Sequence, residues 1–172
     1  FTGSGFVVGK GNFVITNNHV VLGAKKIAVR NGNGKVSKAI VAATSEKYDL
    51  AILKLDRPYK KFLASKDFTD PNPGTDVISI GYPMSSIYGN DLPVITEGII
   101  SKVYDDTAGI FLTTTKINAG NSGGPIFDLN GKLVGVSVSM LDTQKIQELT
   151  GGALPTSMGV GIKSNMLKEV FK

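Results

Sequence analysis

The stretch Gly120-Asn121-Ser122-Gly123-Gly124-Pro125 decides how the rest of the chain is read. It sets one serine among glycines, immediately before the apolar run Pro125-Ile126-Phe127. Glycine adopts backbone angles closed to other residues and lets a carbonyl approach closely, so main-chain N–H groups beside such a serine can hydrogen-bond a developing oxyanion. A hydroxyl alone is a weak nucleophile. It needs a base within hydrogen-bond reach and a third group that orients the base.

His19 is the only histidine, so only it can be that base. It lies in Thr16-Asn17-Asn18-His19-Val20-Val21, just behind an apolar strand pattern. A lone histidine says little by itself, and its companions give it meaning. Asp49 stands in Tyr48-Asp49-Leu50-Ala51-Ile52-Leu53-Lys54-Leu55, at the mouth of a strongly apolar strand. A carboxylate there needs a partner to offset its desolvation, and an imidazole N–H supplies one. Gly-x-Ser-x-Gly at 120–124 also describes the nucleophile elbow of α/β-hydrolases, whose chain order is serine, acid, histidine. No histidine follows Ser122, so the elbow reading fails. The order here is His19, Asp49, Ser122, in steps of 30 and 73 positions, and it matches the chymotrypsin-type triad.

Around these residues, short runs rich in Val and Ile alternate with turn residues: 6–8, 13–16, 27–29, 39–41 and 50–55 in the first half, then 77–80, 94–103, 110–116, 125–127, 133–138 and 158–162. This spacing predicts an all-β sandwich or barrel. Asn31-Gly32, Asn33-Gly34 and Asn130-Gly131 are hairpin signals, because both residues tolerate the positive φ of tight turns. Between Asp56 and Gly74 the pattern breaks into Pro58, Pro71, Pro73 and charged residues, the best candidate for a connection between two lobes. Ser164 to Phe171 reads as a terminal amphipathic helix with Ser164 as its cap.

Composition narrows the function classes. A chain of 172 residues holds one core or two small lobes, not two ordinary independent domains. The net charge of +5 comes from scattered lysines, with two arginines only, Arg30 and Arg57, which argues against a nucleic-acid face. There is no cysteine, and with one histidine a structural zinc site is not expected; nothing calls for a cofactor or metal. No apolar run has membrane-spanning length. The chain opens on Phe1-Thr2-Gly3-Ser4-Gly5, with no initiator Met and no targeting segment, and so reads as a mature or trimmed fragment.

Segments 3–8, 13–21, 48–55 and 117–126, in this order, resemble the protease domain of the HtrA/Deg family of chymotrypsin-like serine proteases. The likeness extends through 81–83, 96–103 and 131–138, nearly the whole chain. The resemblance implies a single protease domain over 1–172 made of two six-stranded antiparallel β-barrels. The N-terminal barrel would span about 1–60, the link about 56–75, the C-terminal barrel about 76–163 and a short C-terminal helix about 164–172. The implied activity is endopeptidase cleavage of unfolded or extended polypeptide, as in protein quality control. Ser122 would attack the scissile carbonyl, His19 act as general base and Asp49 orient the imidazole, with the N–H groups of Gly120 and Ser122 as oxyanion hole.

For substrate binding, Ser137-Val138-Ser139 would add an extended polypeptide as a strand, and Ile117 and Asn118 would line the primary pocket. Lys116 departs from the family pattern, which usually carries an acid before small residues. If it reached the pocket it would favour acidic side chains; its other reading is a solvent-facing lysine. The segments 83–93 and 140–157 would be activation loops. The family implies a periplasmic, secreted or organellar location, and a homotrimer where the full N-terminal segment is present. The peptide-binding PDZ domain that many members carry is not in these residues. A competing reading is a protease-like, non-catalytic module that binds extended polypeptide as a chaperone.

Overall fold

Described in the computed structural model are residues 2–82, 92–117, 119–139, 147–148, 150–152 and 158–171. The first lobe comes from β1 (Phe6–Val8), β2 (Phe13–Thr16), β3 (Ile27–Arg30), β4 (Val36–Ser45) and β5 (Leu50–Leu55), in the spatial order β1-β2-β5-β4-β3. Every neighbouring pair is antiparallel. β3 and the first half of β4 alternate between more buried and more exposed positions, as strands with one wet face do, whereas the central strands β2 and β5 are buried at most positions on both faces. The β2–β5 register sets Thr16 opposite Ala51. That places the end of β2 beside the start of β5, so the turns that carry His19 and Asp49 leave the sheet side by side, at the same end of its strands.

The second lobe is a closed six-stranded barrel, β10-β11-β8-β7-β6-β9. Its strands are β6 (Asp76–Gly81), β7 (Val94–Val103), β8 (Ile110–Thr113), β9 (Pro125–Asp128), β10 (Leu133–Val138) and β11 (Gly159–Lys163). Phe111 is fully buried in it. A Cβ at Gly135 or Gly161 would run into that ring, so the two glycines make room for the largest side chain of the barrel core. Burying such a side chain stabilises by about 1.5–3 kcal/mol.

The expectation of two six-stranded barrels holds for the second lobe only. The first is an open, five-stranded sheet, because β1 and β3 at its ends are not paired to each other. The outer edge of β1 is met instead by the connection between the lobes: Leu63 forms a parallel bridge with Val8 and donates its N–H to the Val7 carbonyl at 2.9 Å. The open side leaves a cavity of about 690 Å³ lined by Val7, Val14, Val20, Val29, Leu53 and Tyr59. The Tyr59 hydroxyl reaches the carbonyls of Val29 (3.0 Å) and Lys35 (2.9 Å), and burial pushes its phenol pKa up.

Turn chemistry explains the two hairpins signalled by Asn-Gly. Asn31 Oδ1 accepts the N–H groups of Asn33 (3.0 Å) and Lys35 (2.9 Å). Asp128 Oδ1 likewise accepts those of Asn130 and Lys132, both at 2.9 Å. Side chains that hold the backbone in this way compete with strand pairing and so end the strands. The chain closes with a helix, α2 (Asn165–Val170), after the one-turn helix α1 (Asn18–Val21) in the first lobe. Ser164 precedes α2 but its side chain does not cap it; the hydroxyl donates to the Thr69 carbonyl at 2.5 Å and fastens the helix start to the inter-lobe connection.

The largest apolar cluster belongs to both lobes. Phe6, Ile15 and Leu50 of the first pack in one body with Ile110, Leu112, Leu133, Val136 and Ile162 of the second.

Candidate active site

At the end of β2 the backbone stays extended through Asn17 and then turns into α1, which carries His19. Asp49 sits in the turn before β5 with φ of 53°, the only left-handed residue other than glycine among the described residues. Aspartate tolerates this region better than most residues, but the conformation needs support from its surroundings. The Asp49 carbonyl accepts the Asn18 N–H at 3.0 Å and the Asn17 Nδ2 amide at 2.9 Å. Its carboxylate accepts the His19 N–H through Oδ1 at 2.8 Å, and its Oδ2 lies 2.5 Å from His19 Nδ1.

Ser122 arrives from the second lobe, on the loop between a 3-10 turn (Ala119–Asn121) and β9. Gly123 behind it has φ of 90°, and a Cβ there would strike the Ser4 carbonyl, Thr16 Oγ1 and the Asn17 nitrogen. Glycine is therefore required twice, by backbone angle and by space. The loop is held by Gly123 N–H to the Ser137 carbonyl and by Ser137 N–H to the Gly124 carbonyl, both at 2.9 Å.

These supports bring Ser122 Oγ to 3.2 Å from His19 Nε2, so Asp49, His19 and Ser122 stand in line, each within hydrogen-bond reach of the next, across the two lobes. The side-chain exposure of His19 is 29%, that of Asp49 12%, and Ser122 as a residue is wholly buried. A base whose far nitrogen is fixed by a carboxylate and whose near nitrogen faces a hydroxyl is arranged for proton transfer from that hydroxyl.

A profile of the trypsin-like peptidase domain matches residues 3–136. The chain belongs to the trypsin-like peptidase family. Within that family its relatives are of the HtrA/Deg kind. The protein of Hahella chejuensis named "probable periplasmic serine endoprotease DegP-like" is 34% identical over 166 residues, 94% of this chain and 33% of the relative. One of the same name from Rickettsia prowazekii is 32% identical over 181 residues, 99% of this chain and 33% of its own length. Among solved structures, the serine endoprotease of Yersinia pestis superposes with a TM-score of 0.77 at 28% identity, covering 98% of this chain and 55% of that one. The HtrA-type protease AlgW with a decapeptide does so with 0.77 at 26%, covering 98% and 50%. The chain thus spans about a third of the length of the curated relatives it matches.

Other sequence-predicted positions in this trypsin-like peptidase domain fall as follows. Gly120 is buried, and its carbonyl accepts the Ser4 hydroxyl at 2.6 Å. The Ser137 main chain is bonded to the serine loop on both its N–H and its C=O, and its hydroxyl lies 3.1 Å from Ser79 Oγ. Ser139 is the one of the three that faces the serine, with its N–H 3.3 Å from Ser122 Oγ. Ile117 packs against the barrel core and over Gly159, where a Cβ would crowd its side chain. Lys116 is exposed. Asn118 lies outside the described residues, as do most of the two expected activation loops, 83–91, 140–146 and 153–157 within them. Among the described residues no three of His, Cys, Asp and Glu gather to hold a metal ion, and no helix is long and apolar enough to cross a membrane.

Two residues at the site escape sequence reasoning. Ser4 ties the first lobe to the serine loop: its N–H donates to the Ser122 carbonyl (3.0 Å), its hydroxyl to Gly120, and its carbonyl accepts the Thr16 hydroxyl (2.7 Å). Asn17 is wholly buried, and its Oδ1 accepts the Ser122 hydroxyl. They stand in Gly3-Ser4-Gly5 and Thr16-Asn17-Asn18-His19, but a small polar residue near a turn carries no pattern that names its partner.

Proposed function

We propose that the chain is a serine endopeptidase domain that hydrolyses peptide bonds in unfolded or extended polypeptides. The alignment of Asp49, His19 and Ser122, each within hydrogen-bond reach of the next, is the observation that carries this reading. In this mechanism Ser122 Oγ attacks the scissile carbonyl as His19 Nε2 takes its proton. Asp49 stabilises the imidazolium, and His19 returns the proton to the leaving amine. The N–H groups of Gly120 and Ser122 hold the oxyanion, where one donor is worth about 10²–10³ in rate. Water then attacks the acyl-enzyme with His19 again as base. Extended substrate pairs with the main chain at Val138 and Ser139, and Ile117 walls a primary pocket for small or medium aliphatic side chains. By kinship with relatives named periplasmic, the domain works outside the cytoplasm.

Hydrolysis of casein by the purified chain, with fluorophosphonate labelling, tests the reading. Loss of both in Ser122→Ala supports it. A folded chain that neither cleaves nor labels supports the binding-module alternative, which the complete burial of Ser122 favours.

A further inference from the structure

The Ser122 hydroxyl has one proton and two candidate acceptors. His19 Nε2 lies 3.2 Å away, whereas the shorter contact is the bond donated to Asn17 Oδ1. The Asn17 amide cannot be turned over to remove this contact. Its Nδ2 donates to the Asp49 carbonyl at 2.9 Å, which fixes Oδ1 toward the serine. Nitrogen and oxygen are thereby assigned by their partners and not by shape. Asn17 is fully buried, so water does not compete for the acceptor, and the left-handed Asp49 turn holds the amide in place.

We propose that Asn17 is a positioning residue that holds the proton of the Ser122 hydroxyl away from His19 in the resting enzyme. This rests on the peptidase reading for its consequence, though not for its geometry. Attack requires only that the hydroxyl turn about the Cβ–Oγ bond, from Asn17 Oδ1 to His19 Nε2. Oγ keeps its place, no bond to a heavy atom is made or broken, and the proton stays on Oγ until the substrate carbonyl is attacked. The same amide links the two ends of the triad by a second route, from the Asp49 carbonyl through Asn17 to Ser122, parallel to the route through His19. The resting state therefore keeps the nucleophile in register without activating it.

Because His19 is the only histidine, the ¹⁵N spectrum of the folded chain shows one imidazole. The Nε2 resonance shifts when that nitrogen accepts a hydrogen bond. Ser122→Ala is expected to leave the Nε2 resonance in place while Asn17 is present, and to move it in the Asn17→Ala background. A shift on Ser122→Ala with Asn17 present overturns the proposal, and that comparison decides even if Asn17→Ala does not fold. In a folded Asn17→Ala chain, fluorophosphonate labelling and kcat are expected to rise about two- to tenfold, the worth of one neutral hydrogen bond, with KM unchanged. A fall in kcat, with melting temperature lowered, marks a merely structural role and overturns the proposal. Failure of the peptidase reading shows separately, as a wild-type chain that neither cleaves casein nor labels while the Nε2 comparison still gives its answer.

Discussion

Both carboxylate oxygens of Asp49 are turned onto His19, Oδ1 to the backbone N–H at 2.8 Å and Oδ2 to the ring at 2.5 Å. The acid thus fixes the position of the base as well as its tautomer. Asp49→Asn keeps the size of the side chain but puts an amide where the ring N–H must be accepted. It is expected to lower kcat by about 10⁴-fold with little change in circular dichroism, as replacing the acid of such triads does. Steady-state hydrolysis of a peptide substrate measures it.

Gly123→Ala sets a methyl group against Ser4, Thr16 and Asn17 at a backbone angle of 90°. The angle alone costs about 1–3 kcal/mol, and the clash adds to it. Denaturant unfolding should show lower stability, and fluorophosphonate labelling should fall with it, because the loop that carries Ser122 must move.

Leu50 follows Asp49 and is wholly buried in the cluster shared by both lobes. Leu50→Ala is expected to cost about 2–5 kcal/mol. Since the lobes supply different members of the triad, activity at a temperature near the new midpoint should be lost in step with the fold, read by calorimetry and hydrolysis on the same sample.

Lys163, buried at the end of β11, donates to the Tyr104 carbonyl at 3.0 Å and to Asp106 at 2.6 Å. Hydrogen bonds from Lys163 and Asn165, and the charge of Lys163, hold the Asp106 carboxyl below its usual pKa. A lowered carboxylate pKa contributes stability that is full above the ordinary aspartate value and is lost as pH falls through the folded one. Asp106 is 68% exposed, so its worth is that of a screened pair, about 0–1 kcal/mol. Asp106→Asn should be slightly less stable than wild type at neutral pH, and the difference should close in acid.

Ile117 is partly buried over Gly159, whereas Lys116 is exposed. Ile117→Ala is expected to shift cleavage toward larger apolar side chains, and Lys116→Ala to leave the preference within about twofold, since an exposed charge contributes little in water. Cleavage-site mapping of a denatured protein by mass spectrometry compares the two.

The grouping of His19, Asp49 and Ser122 was legible in the sequence because their three motifs carry chemistry that few other residues can supply: one histidine, one acid at a strand mouth, one serine among glycines. The strands were legible from alternation, apart from details such as β8, which ends at Thr113 although the β-like run continues to Lys116. The open first lobe was not, because strand count says nothing about which edges meet, and here Leu63 of the connection takes the edge of β1. Ser164 looked like a helix cap and is instead bonded to Thr69, 95 positions away. Ser4 and Asn17 were hidden for the same reason. Their hydrogen bonds cross 116 and 105 positions, and no local pattern encodes so distant a partner.

The apolar cluster common to both lobes bears on how such a domain can be switched. Sliding one lobe over the other would bring Leu50, Leu133 and Val136 toward water, at about 1.5–3 kcal/mol for each large side chain. The interface is therefore a weld and not a hinge. A change at the site that leaves this shared core intact does not carry that cost.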